Sequence, residues 1–330
     1  MTTTTSLAGS KKAFASSILE GLEKHPKQLS SKYFYDKKGD RLFQKIMHMP
    51  EYYLTDCEYE IFDRQKQAIL EHIGHDEAFE LIELGAGDGL KTKVLLRQFV
   101  DQNIDFQYRP VDISSSVLEQ LSQSLATELP NLEVAPLHGE YFQVLGELKE
   151  IGDHQKKVIF FLGANIGNLT KPQSRHFLSQ LNDLLDPGDM VLLGIDLKKD
   201  PATILAAYND PAGITAAFNL NLLERINNEL GGQFELNQFK HWEAYNPVSG
   251  EAKSYIVSKK TQDVRIEALE TSIHFDAWEA IEVELSQKYS IEEVDQLAKS
   301  ANFKVVHNFF DSRHYFVDSL WVKGVKEVTW

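Results

Sequence analysis

The run Glu83-Leu84-Gly85-Ala86-Gly87-Asp88-Gly89 closes an apolar stretch, Phe79–Leu84, and leads into Lys91-Thr92-Lys93-Val94-Leu95-Leu96, a plausible helix start. Glycines between a strand and a helix let the backbone turn sharply and come close to a ligand. In an open α/β sheet that ligand sits outside the carboxyl end of the strand, near the point where strand order reverses. The motif by itself suits several nucleotide-type ligands, nicotinamide and flavin dinucleotides among them.

Outward from this turn, short apolar runs alternate with amphipathic segments. The runs are Phe79–Leu84, Asp105–Val111, Leu132–Leu137, Lys157–Leu162 and Met190–Leu197, with helical patterns at Val117–Leu129 and Lys171–Leu185 between them. Such alternation predicts βαβ units and a parallel, doubly wound sheet. After residue 198 the pattern changes. Residues 201–230 read as helices. Strands are expected at Trp242–Tyr245, Ser254–Ser258, Val264–Ala268 and Ala280–Leu285, and residues 291–301 return to helix. Two β-rich runs, Lys304–Phe310 and His314–Val322, end the pattern, joined through Asp311-Ser312-Arg313. A β-rich insertion ahead of a terminal helix–strand–strand unit predicts a discontinuous core. Upstream, residues 13–50 look helical, with a turn at 35–40, and residues 1–12 are expected to fray.

Composition narrows the function classes. At 330 residues the chain exceeds the usual size of one core, so two domains are expected. Its 49 acidic and 34 basic side chains leave a net charge of −15, which repels phosphate backbones and anionic lipid. No nucleic acid or membrane partner is expected. No apolar stretch approaches the roughly 20 residues that span a bilayer, and Met1-Thr2-Thr3-Thr4-Thr5 lacks the features of a secretory signal. A cytoplasmic location is expected. Cys57 is the one cysteine, so no internal disulfide can form, a cysteine-based zinc site is not expected, and no metal is assigned.

Asp112 ends the strand after the glycine turn. A carboxylate there can accept both ribose hydroxyl hydrogens, or it can cap the helix entered through Ser114-Ser115-Ser116. Glu140-Tyr141 follows the third strand, where an adenine would lie; a surface turn is the other reading. A hydride-transfer enzyme would need a proton relay, and no His or Lys pairing announces one. The closing strand pair also fits the antiparallel hairpin of methyltransferase sheets better than a dinucleotide-binding sheet, a distinction resting on fold analogy. S-adenosylmethionine is therefore the expected ligand.

Several longer segments resemble one family, the histidine-specific Nα-methyltransferases of ergothioneine biosynthesis and their fungal relatives acting on dimethylallyltryptophan. They are Tyr33-Phe34-Tyr35-Asp36 with Gly39 and Leu42-Phe43, Pro50-Glu51-Tyr52-Tyr53 with Thr55 and Glu58, the glycine turn with Lys91-Thr92, and Pro110-Val111-Asp112. Further on come Phe161–Leu169, Ala207–Asp210, Gly213–Asn221, Arg225-Ile226-Asn227 and Glu284–Tyr289. The resemblance spans about residues 28–322. It implies a Rossmann-like class I methyltransferase core over 62–198 plus 287–330. A β-rich substrate domain would occupy 13–61 plus 199–286. Gly85, Ala86, Gly87, Lys91, Asp112, Glu140 and Tyr141 would contact the donor. Asn168 and Tyr208 would hold the amino acid's α-amino and α-carboxylate groups and serve the chemistry, with Gly163 lining the pocket. Glu284 and Ser286 would hold an imidazole, with Tyr52 on its other side, and Tyr35 and Thr215 also fall at the substrate.

The chemistry is suitable. Each imidazole nitrogen is a donor or an acceptor, which a carboxylate, a hydroxyl and a phenol can meet. A buried carboxylate also favours imidazolium. Bland alternatives stand beside these roles: Asn168 could cap the next segment, Tyr208 could be a core aromatic, and Glu284 could lie on a solvated strand face. One departure bears on the substrate. Where the family has Arg-Ile-Glu-Met-His-Leu, this chain reads Glu251-Ala252-Lys253-Ser254-Tyr255-Ile256, so a methionine near the substrate becomes Ser254. A wider or wetter pocket would follow, and a tryptophan-derived amine is the alternative acceptor. A monomer binding only small molecules is expected.

Overall fold

The computed structural model describes residues 3–151 and 155–324. The chain divides into two compact units, residues 54–198 with 287–330 and residues 1–53 with 199–286. Residues 1, 2, 152–154 and 325–330, which the expected domain ranges include, lie outside the described residues.

The larger unit is built on an eight-stranded sheet. Its strands run in the order Phe303–Phe310, Phe316–Lys323, Met190–Asp196, Lys156–Phe161, Phe79–Leu84, Phe106–Asp112 and Glu133–Val134, with Leu137–His138 also pairing to Phe106–Asp112. All pairs are parallel except those of Phe316–Lys323, which is antiparallel to both neighbours. This is the closing hairpin expected from the sequence, and Asp311 makes its turn. One Asp311 oxygen accepts the Tyr315 and Phe316 amides at 2.7 and 2.8 Å. Every residue of Phe79–Leu84 and Met190–Asp196 is buried, as a strand covered on both faces requires.

The third expected strand, Leu132–Leu137, forms instead as two residue pairs, Glu133–Val134 and Leu137–His138. Pro136 lies between them and has no N–H to give the ladder. The helices Lys171–Leu184 and Ile291–Ser300 each open on a capping box, Thr170 with Gln173 and Ser290 with Glu293. Leu178, Leu181, Val294 and Leu297 from these helices pack with Ile159, Val191 and Trp321 of the sheet in one core.

The smaller unit joins a four-stranded sheet, in the order Lys27–Gln28, Ala280–Gln287, Glu251–Ser258 and Phe239–Asn246, to a separate hairpin of Gln262–Ile266 and Thr271–Phe275. The strand Thr271–Phe275 has no counterpart in the sequence-based expectation. Its alternation of Ile273 and Phe275 with Ser272 and His274 is too short to register beside longer runs. The helix Ile214–Leu230 packs Phe218, Leu222 and Ile226 against Phe34, Phe239 and Ile256. Asp36 starts the helix Lys37–Met47 by accepting the Lys38 and Gly39 amides, and it also takes the Asn221 amide at 2.9 Å. The two aspartate–asparagine motifs thus meet through one carboxylate. Two boundaries differ from expectation. The first unit boundary falls at Tyr53, because the helix Tyr53–Ile73 runs unbroken through residue 61. The first helix reaches back to Thr3, into the segment expected to fray.

Lys288 and Asp196 form an ion pair of 2.7 Å inside the larger unit, with neither side chain reaching solvent. Removing one partner strands a buried charge, so Lys288→Met should cost about 3–5 kcal/mol in urea unfolding. Replacing both by apolar residues should recover much of that loss.

Candidate active site

The glycine turn lies at the end of Phe79–Leu84, the strand flanked by Phe106–Asp112 on one side and Lys156–Phe161 on the other. The strand order reverses there, which opens a crevice at the carboxyl ends. Gly85 and Gly87 take φ of +75° and +56°, the left-handed region that side chains resist. A Cβ on Gly85 would stand 2.7 Å from the Tyr141 hydroxyl, whereas one on Gly87 would meet nothing within 4 Å. The backbone at Gly87 is thus open to a bound molecule, and Tyr141 closes the turn at Gly85. The Gly85 amide is tied to the Val111 carbonyl at 2.8 Å, which fixes the turn beside Asp112.

Asp112 accepts the Ser114 amide at 2.9 Å, while Ser114 itself caps the helix Ser115–Glu128. The cap role considered for Asp112 therefore belongs to Ser114. The Tyr141 phenol is pushed up to about 12, first by burial and then by the charges of Asp112 and Glu140. Those three side chains share one neighbourhood with the glycine turn, and Ala86 is buried beneath it.

Lys91 pairs with Glu58, which is wholly buried. Burial alone would lower the lysine's pKa, but the Glu58 carboxylate reverses this and raises it, so the ammonium stays charged. The other Glu58 oxygen accepts the Gly163 amide at 2.7 Å. A Cβ on Gly163 would lie 3.5 Å from the Lys91 ammonium, so the donor-loop lysine and the end of the fourth strand meet. Asp318, on the antiparallel strand, is also fully buried. Burial and the Glu58 charge push its carboxyl well above the usual carboxylate range, against the opposing pull of Lys91.

Asn168 ends the short 3-10 segment Asn165–Asn168 and is exposed. The capping role weighed for Asn168 is filled by Thr170. Gly163 and Asn168 belong to the larger unit; the other expected substrate residues belong to the smaller one. There Tyr208 is buried, and its hydroxyl donates to Ser286 at 2.8 Å. Tyr52 meets the Tyr208 ring edge-on at 6.4 Å. Glu284 accepts the Ser254 hydroxyl at 3.0 Å, and Ser254 also reaches Glu243 at 2.8 Å. Glu284 therefore stands in a hydrogen-bonded row, half-buried on its strand. Ser254 is buried within that row. Solvent reaches 47% of Tyr35, yet the protein packed around its phenol and the Glu284 charge both hold it protonated. Thr215 starts the helix Ile214–Leu230, its amide on Asp210 at 2.8 Å.

Sequence reasoning missed Asp318 and Glu243, whose signal lies only in strand adjacency, and it passed over Glu58 as a motif residue. Cys57 is buried, its thiol pushed up to about 12 by burial and then by Asp311, which leaves little thiolate at neutral pH. Among the described residues no His, Cys, Asp and Glu group is placed to hold a metal ion. Nor is any helix among them long and apolar enough to cross a membrane.

The strand order with its reversed terminal hairpin, and a glycine crevice flanked by Asp112, Tyr141 and Lys91, define an S-adenosylmethionine-dependent methyltransferase of the Rossmann-like class I fold. The family model of histidine-specific, SAM-dependent methyltransferases matches residues 14–323, and the chain belongs to that family. It is 35% identical over 306 residues to a histidine N-alpha-methyltransferase of Mycolicibacterium smegmatis, covering 93% of this chain and 94% of that protein. A Mycobacterium tuberculosis protein of the same description is 35% identical over 272 residues, covering 82% of this chain and 83% of its own. An ergothioneine biosynthesis protein 1 of Neurospora crassa is 28% identical over 303 residues, covering 88% of this chain and 32% of its own length.

Glu83, at the base of the glycine turn, is buried and accepts the Thr92 and Tyr108 hydroxyls at 2.6 and 2.5 Å. Burial raises its pKa to about 7, against the opposing pull of those hydrogen bonds and Lys91. A folded-state pKa above the unfolded one gives stability that is complete below about 4.5 and fades as pH rises through about 7. Glu83→Gln should therefore match the parent in urea unfolding near pH 5. It should be the more stable protein above pH 8, by on the order of 3 kcal/mol. A less stable variant at pH 8 would show that the charge itself stabilises the fold.

Proposed function

We propose that this protein transfers methyl groups from S-adenosylmethionine to the α-amino nitrogen of L-histidine, three times in succession, yielding hercynine for ergothioneine biosynthesis. The observation that carries the reading is the pairing of an acceptor set, the buried pair Tyr208–Ser286 with half-buried Glu284, with membership of the histidine-specific family.

S-adenosylmethionine supplies an electrophilic methyl on a sulfonium. Gly85, Ala86 and Gly87 would give it backbone, Asp112 would take the ribose hydroxyls, and Glu140 and Tyr141 would border the adenine. Lys91, kept charged by Glu58, would meet the donor's carboxylate. The residues fit this ligand: Gly87 leaves open space, and Asp112 stands at the strand end beside the turn.

On the acceptor side, Asn168 and Tyr208 would hold the α-amino and α-carboxylate groups, with Gly163 lining the pocket. A phenol whose hydrogen is given to Ser286 can act toward an amine only as an acceptor, which is what an ammonium or amine N–H requires. Ser286 and Glu284 would meet the two imidazole nitrogens, a hydroxyl on one side and a carboxylate on the other. Tyr52 and Tyr35 would flank the ring, and Thr215 would border the pocket from its helix start. Attack needs a neutral amine, since an ammonium has no lone pair. The amine proton would pass to water or along Asn168 and Tyr208, and no separate strong base is required. Holding nitrogen, methyl and sulfur in line would supply much of the acceleration, on the order of 7–11 kcal/mol in well-oriented systems. A cytoplasmic monomer acting on small molecules alone completes the reading.

The tryptophan-derived alternative rested on Ser254 leaving a wider pocket. Ser254 is instead committed to two carboxylates, an environment that suits a basic ring and penalises an indole.

Incubation with labelled donor and each of the twenty amino acids should label histidine alone; transfer to a different amine with none to histidine would overturn the assignment. Glu284→Ala should raise the KM for histidine tenfold or more and leave donor affinity within about twofold, read by steady-state kinetics and calorimetry.

A further inference from the structure

Glu243, Ser254 and Glu284 stand side by side on three adjacent strands, Phe239–Asn246, Glu251–Ser258 and Ala280–Gln287. Glu243 and Ser254 are direct cross-strand partners, so their side chains share a face of the sheet. The Ser254 hydroxyl is 2.8 Å from a Glu243 oxygen and 3.0 Å from a Glu284 oxygen. A hydroxyl has one hydrogen and can donate to one carboxylate only. Two ionised carboxylates on one hydroxyl oxygen would leave one contact as lone pair against lone pair. That contact is repulsive, and at Glu243, the buried end of the row, it goes without water to relieve it. The row is satisfied when one carboxyl keeps a proton and gives it to Ser254, which gives its own to the other. Glu243 is the more buried of the two, with 8% of its surface exposed, and so is the one for which ionisation costs more.

We propose that Glu243 is a specificity-determining residue of the imidazole site, donating a proton through Ser254 so that Glu284 is the single anion presented to the ring. This rests on the reading of Glu284 as the imidazole partner. Glu284 then takes a fixed hydrogen bond from behind, which orients its carboxylate, and the pocket carries one negative charge matched to one imidazole N–H or imidazolium. With methionine at position 254, as in the related strand motif, no such row could form, because a thioether has no hydrogen to donate.

Other titratable groups adjoin the row. The Tyr35 phenol is held protonated by packing and by Glu284, with Asp40 adding to it. Tyr255, beside Ser254 on the same strand, is raised first by burial, against the pull of Lys253, with Glu282 and Glu251 adding to the rise. Lys253 and Glu282 pair with each other at 3.2 Å. His241, two residues from Glu243, bonds the Tyr208 carbonyl at 2.9 Å, and burial lowers its pKa. The assignment of the proton to Glu243 rests on its deeper burial and on its contact with Ser254.

The test compares Glu243→Gln, Glu243→Leu and Ser254→Ala with the parent, using KM and kcat for histidine from pH 6 to 9.5 and donor affinity by calorimetry as the check on folding. Loss of the shared proton should raise the parent's KM at high pH, relative to Glu243→Gln at the same pH. Glutamine carries permanent N–H donors, so Glu243→Gln should hold KM within about threefold of the parent near pH 7 and lose that high-pH rise. Glu243→Leu and Ser254→Ala should raise KM tenfold or more with kcat changed less than threefold. A Glu243→Gln enzyme as impaired as Glu243→Leu would mean that Glu243 acts as an anion, and would overturn the proposal. So would a Glu243→Leu enzyme with an unchanged KM. Absence of histidine turnover by the parent would overturn the substrate reading itself, an outcome distinct from parent turnover with indifferent variants.

Discussion

A single buried carboxylate, Glu58, holds the donor half of the larger unit in register. It sits on the helix Tyr53–Ile73, takes the Lys91 ammonium at one oxygen and the Gly163 amide at the other, and raises the pKa of buried Asp318. A carboxylate without solvent is tolerable only when its partners offset the lost hydration. Here one cation and one amide do so together. The consequence is geometric. The helix after the glycine turn and the end of Lys156–Phe161 both send a group to the same carboxylate. Even Gly194 is fixed by this demand, since a Cβ there would fall 2.2 Å from Glu58.

The same economy of charge recurs at Glu83. It is anchored by Thr92 and Tyr108, and its charge is discouraged by burial, so near neutral pH it stands between acid and carboxylate. The glycine turn thus stands on three buried acids of unlike character: Glu58 is ion-paired, the Asp318 carboxyl is raised well above the usual range, and Glu83 is poised between.

The donor half was legible because its signals are local. Glycines, strand end and helix start fall within a dozen residues, and each has a conformational reason to be where it is. The terminal hairpin was equally readable, since Asp311-Ser312-Arg313 breaks two runs of strand-forming residues. What could not be read was set by distance along the chain. The broken third strand depends on whether Pro136 faces a ladder position. The strand Thr271–Phe275 depends on a hairpin partner that pays its ordering cost. The end of the smaller unit at Tyr53, ahead of the expected boundary at residue 61, depends on the helix Tyr53–Ile73 running unbroken into the larger unit.

Ser254 shows how cross-strand register changes what a local reading suggests. Taken alone, methionine to serine removes volume and adds a hydroxyl, and a looser, wetter pocket follows. The cross-strand register changes the conclusion. Ser254 is opposite Glu243 and adjacent to the strand of Glu284, so its hydroxyl is consumed by two carboxylates on entry into the sheet. A small side chain in that position does not enlarge the site so much as exchange an apolar contact for a fixed hydrogen-bond polarity. Polarity of this kind discriminates ring chemistry more sharply than volume does, because a mismatched buried donor or acceptor costs more than a lost methylene. On the proposed reading, the serine would tighten the demand for an imidazole where its size alone suggested that the demand had relaxed.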